Sequence, residues 1–360
     1  MIRLTLPATA DADLPYVIRL RSSGVSAGPA DATLFQEDED GVTYVSRYGA
    51  MAIDGVSSKE VDGDILIVDP AAGRAERILR RDSRHNTLLV TERCDQLCLM
   101  CSQPPKKRHI DRFALFEEAC LLAEPKSLIG VSGGEPTLYK AELLGMMERV
   151  LAERPDLEFH VLTNGQFFDD GDVARLRDRR YGHVSWGIPI YAAEAGLHDR
   201  IVGKEGAFAR LENGMAVLAR AGARIELRTV VLSDNVAALP DLARHVAKRL
   251  RFVEVWSIMQ LENIGFARAR WASLFVDHAE DFAPIGQAVN NAMLYGVRTQ
   301  LFNFPRCTVP AAWRDLARAS ISDWKRRYAD ACTPCREREA CSGFFEWHPF
   351  EQAEAGVTPL

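Results

Sequence analysis

Two regimes of hydrophobic patterning divide the chain. Up to about residue 84, short apolar runs such as Tyr16-Val17-Ile18-Arg19-Leu20 and Ile65-Leu66-Ile67-Val68 are broken by Gly, Pro and Asp, with no sustained helical periodicity. This predicts a small β-rich N-terminal domain over 1–84. From Thr87 the pattern becomes strand, loop, helix, repeated. Expected strands are Thr87–Thr91, Ser127–Val131, Leu157–Leu162, His183–Ile190, Arg224–Leu232 and Phe252–Met259. Expected helices run from an Asp111 cap through Ala123, along Leu143, Leu144, Met147, Val150 and Leu151, over Ala207–Ala221 and over Leu239–Leu250. Alternating β and α units predict an α/β domain with a parallel sheet over 85–275. The repeat stops beyond Arg270. A helix near His278–Leu294 and a strand near Val297–Phe302 open a third region, 276–345. The stretch after Trp347, in a tail over 346–360, reads as disordered.

Composition changes this picture little. The 360 residues suit two domains and a large core. With 44 basic and 50 acidic residues, the net charge of −6 argues against a nucleic-acid groove. The acidic run Glu37-Asp38-Glu39-Asp40 reads as a solvated loop, with a peptide-docking role as the alternative. No apolar run reaches membrane-spanning length and no signal pattern opens the chain, so the expectation is a cytoplasmic protein without a membrane partner.

The cysteines carry the chemistry. Eight in 360 residues are too few for a disulfide scaffold, and seven of them fall in two groups, which reads as metal binding. The first is Cys94-x3-Cys98-x2-Cys101, in the loop after the strand at Thr87–Thr91. Structural zinc and common ferredoxin clusters take four ligands. Three thiolates on a 4Fe–4S cube leave one iron open to a small molecule. The second group is Cys307, Cys332, Cys335 and Cys341, which suits either a zinc site or a complete 4Fe–4S cluster. Cys120, among helix residues, reads as a buried small hydrophobe. Lys106-Lys107-Arg108-His109 reads as a solvated face or as a docking point for an electron donor.

Gly133-Gly134-Glu135-Pro136 ends the second expected strand of the repeat, and Thr163-Asn164-Gly165 ends the third. Either can be a plain turn. Placed at strand ends beyond the three cysteines, they read instead as ligand-contacting segments, the glycines letting backbone come close. Glu226 and Arg228 alternate along a strand and so share one face. They suit a structural ion pair, or leave Arg228 to hold a carboxylate. No catalytic acid–base pair stands out.

The Cys94–Cys101 loop with Met100 before its last cysteine, followed by Gly133–Pro136, resembles the cluster loop and partner segment of radical S-adenosylmethionine (SAM) enzymes. The resemblance implies a partial (β/α)6 TIM-like barrel, a SAM-binding 4Fe–4S cluster on Cys94, Cys98 and Cys101, and SAM itself as cosubstrate. It also implies SAM contacts from Gly133, Gly134, Glu135, Pro136, Asn164 and Arg228, with Ser185 and Tyr191 near the ribose. Gln260–Gly265 is a loose version of the family's adenine-side motif, and the family's usual Ser or Thr is missing from Gly187–Ile190. Cys332-x2-Cys335-x5-Cys341 resembles the core of SPASM and Twitch domains, which hold auxiliary clusters. Phe345 stands where a full SPASM pattern has another cysteine, so a Twitch-like domain with one auxiliary cluster is the nearer match.

Leu88–Cys94, Cys98–Pro105 and His198-Asp199-Arg200-Ile201-Val202 resemble one subgroup, the His-Xaa-Ser system maturases of the HxsC type. That resemblance implies a ribosomally made His-Xaa-Ser repeat peptide as substrate, a sister maturase, and an electron donor such as flavodoxin or ferredoxin. A radical SAM enzyme acting on a small molecule or nucleotide, or a non-enzymatic iron–sulfur or zinc protein, are the alternatives.

Overall fold

The computed structural model describes residues 2–22, 28–349 and 357–360. Seven strands come first: β1 (Thr5–Ala10), β2 (Tyr16–Arg21), β3 (Asp31–Glu37), β4 (Gly41–Ser46), β5 (Gly49–Asp54), β6 (Ile65–Asp69) and β7 (Arg74–Leu79), with one short helix, α1 (Ser58–Val61), between β5 and β6. They close into a barrel in the order β1-β5-β4-β3-β2-β6-β7, sealed by β1 against β7. Closure removes the exposed sheet edges that a small β-domain would otherwise present. The alternation along β1 and β4 sends Leu6, Ala8, Val42 and Tyr44 into a core shared with Ile18, Leu20, Ile53 and Leu66.

The alternating region follows as β8 (Thr87–Thr91), α2 (Phe113–Leu121), β9 (Leu128–Gly133), α3 (Lys140–Glu153), β10 (Glu158–Leu162), α4 (Asp172–Leu176), β11 (Val184–Pro189), α5 (Ala195–Val202), α6 (Ala207–Ala221), β12 (Arg224–Val230), α7 (Leu239–Arg249) and β13 (Val255–Met259). Short helices α8 (Phe266–Ala269) and α9 (Trp271–Leu274), then α10 (Ala283–Leu294), lead to β14 (Thr299–Phe302). Strands β8 to β14 form one sheet in sequence order, and β11, β12, β13 and β14 pair in parallel. This is the parallel sheet of a partial TIM-like barrel, with β14 as a seventh strand. Its strands are apolar because helices follow them on one side and packed side chains fill the other.

By its contacts the chain divides into two compact units. One comprises 1–90, 110–132 and 139–160; the other comprises 91–109, 133–138 and 161–360. In the first, α2 packs on β2 and β6, which is why β6 is buried on both faces. Asp111 stands one residue ahead of the cap position, yet its carboxylate still accepts from the Phe113 N–H at 3.0 Å. Cys120 is fully buried, as a small hydrophobe.

In the second unit, α10 begins at Ala283, not His278, because Pro284 starts a helix well and cannot continue one. His278 is instead buried, with Nε2 against Thr308 Oγ1 at 2.7 Å. The last regular pieces are β15 (Arg326–Arg327) and β16 (Phe344–Phe345), an antiparallel pair. The expectation of disorder after Trp347 does not hold for the residues described. His348 is buried against Trp271, Phe275 and Phe344, and Val357 packs on the Ala329 and Phe344 cluster. Residues 350–356 of that expectation lie outside the described set. Among the described residues no helix is long and apolar enough to cross a membrane.

Candidate active site

The Cys94–Cys101 loop leaves the C-terminal end of β8 and is held by backbone. Leu97 N–H donates to Val202 O at 3.1 Å, and Leu99 N–H to Ile201 O at 2.8 Å. The end of α5 therefore serves as a template for the loop. On its other side, Phe266 N–H donates to Cys101 O at 2.9 Å. Gly265 makes that approach possible: its φ is +60°, and a Cβ there would stand 2.3 Å from the same carbonyl. Met100 is buried among Tyr191, Ile201, Leu232 and Leu261, with Cys98 and Leu99 packed alongside.

The three thiols are free and half-buried. Burial first, then the negative charges of Glu135, Asp95 and Cys101, push Cys94 up to about 12. Burial, Cys101 and Cys94 push Cys98 higher still, and burial raises Cys101. Cys94 and Cys98 thus resist ionising partly because other sulfurs lie near them. Such a group becomes a set of thiolates only against strong positive charge, which the irons of a cluster supply. Among the described residues no group of His, Cys, Asp or Glu is arranged to hold a single metal ion. Gln96 adds an orphaned donor: it is 4% exposed, its Oε1 receives the Cys98 thiol at 3.6 Å, and its Nε2 has no partner.

Gly133–Pro136 lies against the same loop. Gly134 N–H donates to Thr91 O at 2.8 Å and Glu135 N–H to Arg93 O at 2.7 Å. A Cβ on Gly133 or Gly134 would come within 2.1 Å of Thr91 O or Arg93 O respectively. The closeness these glycines permit is thus to the chain entering the thiol loop. Glu135 is 1% exposed, and its carboxylate accepts from Thr137 N–H at 2.8 Å, Thr137 Oγ1, Thr163 Oγ1 at 2.6 Å and Asn164 N–H at 2.6 Å. It clamps the end of β9 to the end of β10. Burial raises its pKa against the pull of those donors. Asn164 Nδ2 in turn reaches Asp95 Oδ1 at 2.9 Å, and Lys204 Nζ pairs with the other oxygen of Asp95.

Further round the sheet, Arg228 gives Nη1 to both carboxylate oxygens of Glu226, at 3.1 and 2.9 Å. The Ser257 hydroxyl also donates to Glu226, and Gln300 Nε2 donates to that hydroxyl at 3.0 Å. These groups line successive strands β12, β13 and β14. Tyr191 is buried, its pKa raised by burial and by Cys98 and Cys101 and eased by Arg228, so these four are neighbours. Ser185 is not: its register partner is Arg224, at the start of both strands, whereas Arg228 pairs with Pro189 at the other end. Lys106 pairs with Glu92 at 2.7 Å, and His109 Nδ1 meets Thr91 Oγ1 at 3.1 Å.

The sequence reading missed Asp95, Gln96, Thr137, Lys204 and Ser257. Only Asp95 and Gln96 carried a signal, by lying between two candidate ligands. It also missed a half-buried pair in the same unit, Glu262 with Lys325 at 3.3 Å, where Lys325 lies 5.0 Å from the Phe345 ring centre.

The second cysteine group is brought together. Cys307, Cys332, Cys335 and Cys341 line one pocket with Val357–Leu360. Backbone N–H groups point at its sulfurs: Arg306 and Gly343 donate to Cys341, both at 3.3 Å, and Leu360 to Cys335 at 3.5 Å. Such donors favour thiolate ligands.

A parallel partial barrel gathers three thiols, a glycine-rich turn and an acid clamp at its strand ends, where barrel enzymes place their chemistry. The family model for the radical SAM superfamily matches residues 88–246 of this chain. Two PqqA peptide cyclases are similar. The protein from Gluconobacter oxydans is 28% identical over 160 residues, 42% of this chain and 43% of its own length. The protein from Methylocella silvestris is 24% identical over 272 residues, covering 72% and 69%. A probable GTP 3',8-cyclase of Methanocaldococcus jannaschii is 25% identical over 183 residues, 48% of this chain and 59% of the relative. The chain thus spans less than half of the Gluconobacter protein.

Proposed function

We propose that this protein reductively cleaves SAM and uses the resulting radical to modify a ribosomally made peptide, as an HxsC-type maturase would on a His-Xaa-Ser repeat precursor. The observation that carries the reading is the convergence of Cys94, Cys98 and Cys101 with the Gly133–Asn164 clamp at one end of the barrel sheet. In it, Cys94, Cys98 and Cys101 ligate a 4Fe–4S cluster, and Gly133–Pro136, Asn164 and Arg228 border the SAM site. When bound, the reduced cluster supplies an electron that splits SAM into methionine and a 5′-deoxyadenosyl radical able to take hydrogen from a substrate.

The chain's own residues bind, orient and exclude water. Asp95, Lys204 and the α5 carbonyls fix the thiol loop. Arg228 spends only Nη1 on Glu226, which leaves the rest of its fork for the SAM carboxylate. Glu135 organises the turn through its four donors, so the SAM ammonium is left to backbone carbonyls. Cys307, Cys332, Cys335 and Cys341 hold an auxiliary 4Fe–4S cluster in a Twitch-like domain, a reading supported by the amides aimed at their sulfurs.

A peptide substrate is supported by the names of the two cyclases, and by the acidic balance, which suits a His-rich chain. A sister maturase and a flavodoxin or ferredoxin are the proposed partners. The methanogen relative favours the second reading, a nucleotide or other small-molecule substrate.

Anaerobically reconstituted protein with dithionite and SAM should release 5′-deoxyadenosine, and replacing Cys94, Cys98 and Cys101 together by Ala should abolish release. Parental release by that triple variant would refute the assignment. Coexpression with a His-Xaa-Ser repeat peptide and the sister maturase, followed by mass spectrometry, decides the substrate. A Cys94-dependent mass change supports the peptide; an unchanged peptide with turnover of a free nucleotide supports the second reading.

A further inference from the structure

The segment Val357–Leu360 has an unexpected position. It lines the four-cysteine pocket from outside the Cys307–Cys341 stretch. Three contacts hold it there. Arg336 N–H donates to Leu360 O at 2.8 Å, Leu360 N–H donates to Cys335 Sγ at 3.5 Å, and Val357 packs on the Ala329 and Phe344 cluster. The Thr358 backbone also eases the ionisation of the Cys307 thiol, against the burial that raises its pKa.

The local sequence suits the task. Thr358 precedes Pro359, which disfavours helical backbone and biases the segment to an extended form. In an extended chain, residues two apart present their N–H groups to the same side. Pro359 has no N–H of its own and fixes its φ. Thr358 and Leu360 therefore offer two donors on one side of a stiffened strap, and both meet sulfur.

We propose that Val357–Leu360 is an integral strap of the second cluster site. It closes over the four cysteines and donates N–H hydrogen bonds to Cys307 and Cys335. It thereby sets the reduction potential of the group held there and shields that group from solvent. The inference rests on the auxiliary-cluster reading above. Its physical basis is that N–H donors to cluster sulfurs stabilise the more electron-rich, reduced state, and that solvent exposure is a second determinant of potential. With four thiolates and a strap in place, the site is closed to substrate and suited to passing electrons.

The test uses the full chain carrying the Cys94, Cys98 and Cys101 to Ala replacements, so that only the second group remains. Iron and sulfide at about one 4Fe–4S cluster per chain are expected. In that background Thr358→Pro and Leu360→Pro each remove one N–H. Each should move the EPR-monitored midpoint potential to more negative values. Deletion of 357–360 should release iron to a chelator several-fold faster. Thr358→Ala and Leu360→Ala keep the N–H groups and should match the parent potential. Unchanged potential in both proline variants, with unchanged iron release on deletion, overturns the strap while leaving the cluster. Zinc without sulfide in the background protein overturns the cluster reading and the strap with it.

Discussion

Asn164 Nδ2 donates to Asp95 Oδ1 across 2.9 Å, joining the end of β10 to the spacer between Cys94 and Cys98. Lys204 holds the second oxygen of the same carboxylate. One aspartate thus ties the thiol loop to two elements that are remote in sequence. Its position inside the ligand motif makes it a candidate for rigidity and not for chemistry. A cluster loop needs its sulfurs fixed before metal arrives, because donors that must be ordered during binding lose affinity to conformational entropy.

Asp95→Ala should therefore leave the fold intact but loosen the loop. Lys204 and Asn164 lose their partner, at a cost of about 1–2 kcal/mol, at the lower end because Lys204 keeps some solvent. The expected result is a lowered urea midpoint with native circular dichroism, and faster iron loss from the Cys94–Cys101 site. Iron retention equal to the parent's would show that the aspartate does not support the loop.

Gly134→Ala tests the close approach of the glycine-rich turn. Its Cβ would stand 2.1 Å from Arg93 O, a backbone atom with no side chain to move aside. Destabilisation of about 1–3 kcal/mol or more is expected. Gly182→Ala, with nothing within 4 Å of its Cβ, should be near neutral in the same denaturation experiment.

The fold was legible where hydrophobic period and length agree. Helix α6 spans Ala207–Ala221 as its pattern says, because its apolar face at Phe208, Leu211, Met215 and Leu218 has one place to go. The N-terminal strands were legible as β-structure, but not as a closed barrel. Closure depends on β1 meeting β7 across nearly the whole domain, and alternation within a strand does not encode its neighbours.

The candidate site was legible as far as its motifs reach. Cys94, Cys98, Cys101 and Gly133–Pro136 announce themselves by spacing and by position after strands. The groups that position them do not. Thr137, Thr163 and Lys204 are ordinary residues until the fold places them beside Glu135 and Asp95. In the stretch His198–Val202, Ile201 and Val202 carry the carbonyls that hold the thiol loop, a role that only the fold reveals.

His198 gives a pH prediction. It is 1% exposed, accepts the Tyr191 N–H at Nδ1 across 3.3 Å, and burial holds its pKa down to about 4 from an ordinary 6.5. Between those values the unfolded chain binds a proton that the native state refuses. Stability therefore falls as pH drops from 6.5 towards 4, by up to about 3 kcal/mol for this group. His198→Asn, whose Oδ1 can take the same N–H, should flatten that decline in urea midpoints measured across the window. The flattening is partial, because His278 and His348 are also held down to about 4 by burial. An undiminished slope would place the effect on the other histidines that burial holds down, His245 included.

Gln96 gives the last prediction. In the thiol form its Oε1 accepts from Cys98 at 3.6 Å and its buried Nε2 has no partner. A buried amide nitrogen without an acceptor is costly, so the arrangement suits another state of the sulfur. Once Cys98 is a thiolate ligand, it can no longer donate and becomes an acceptor. Turning the amide over then lets Nε2 donate to Cys98 Sγ. Such a bond should raise the potential of the cluster that we propose Cys94, Cys98 and Cys101 hold. Gln96→Leu keeps the volume and removes the donor. With the second cysteine group replaced by Ala so that one cluster remains, this variant should show a more negative midpoint potential at unchanged iron content. Gln96→Asn, one methylene shorter, should fall between. A potential unmoved by Gln96→Leu would leave the orphaned nitrogen without a role at the cluster.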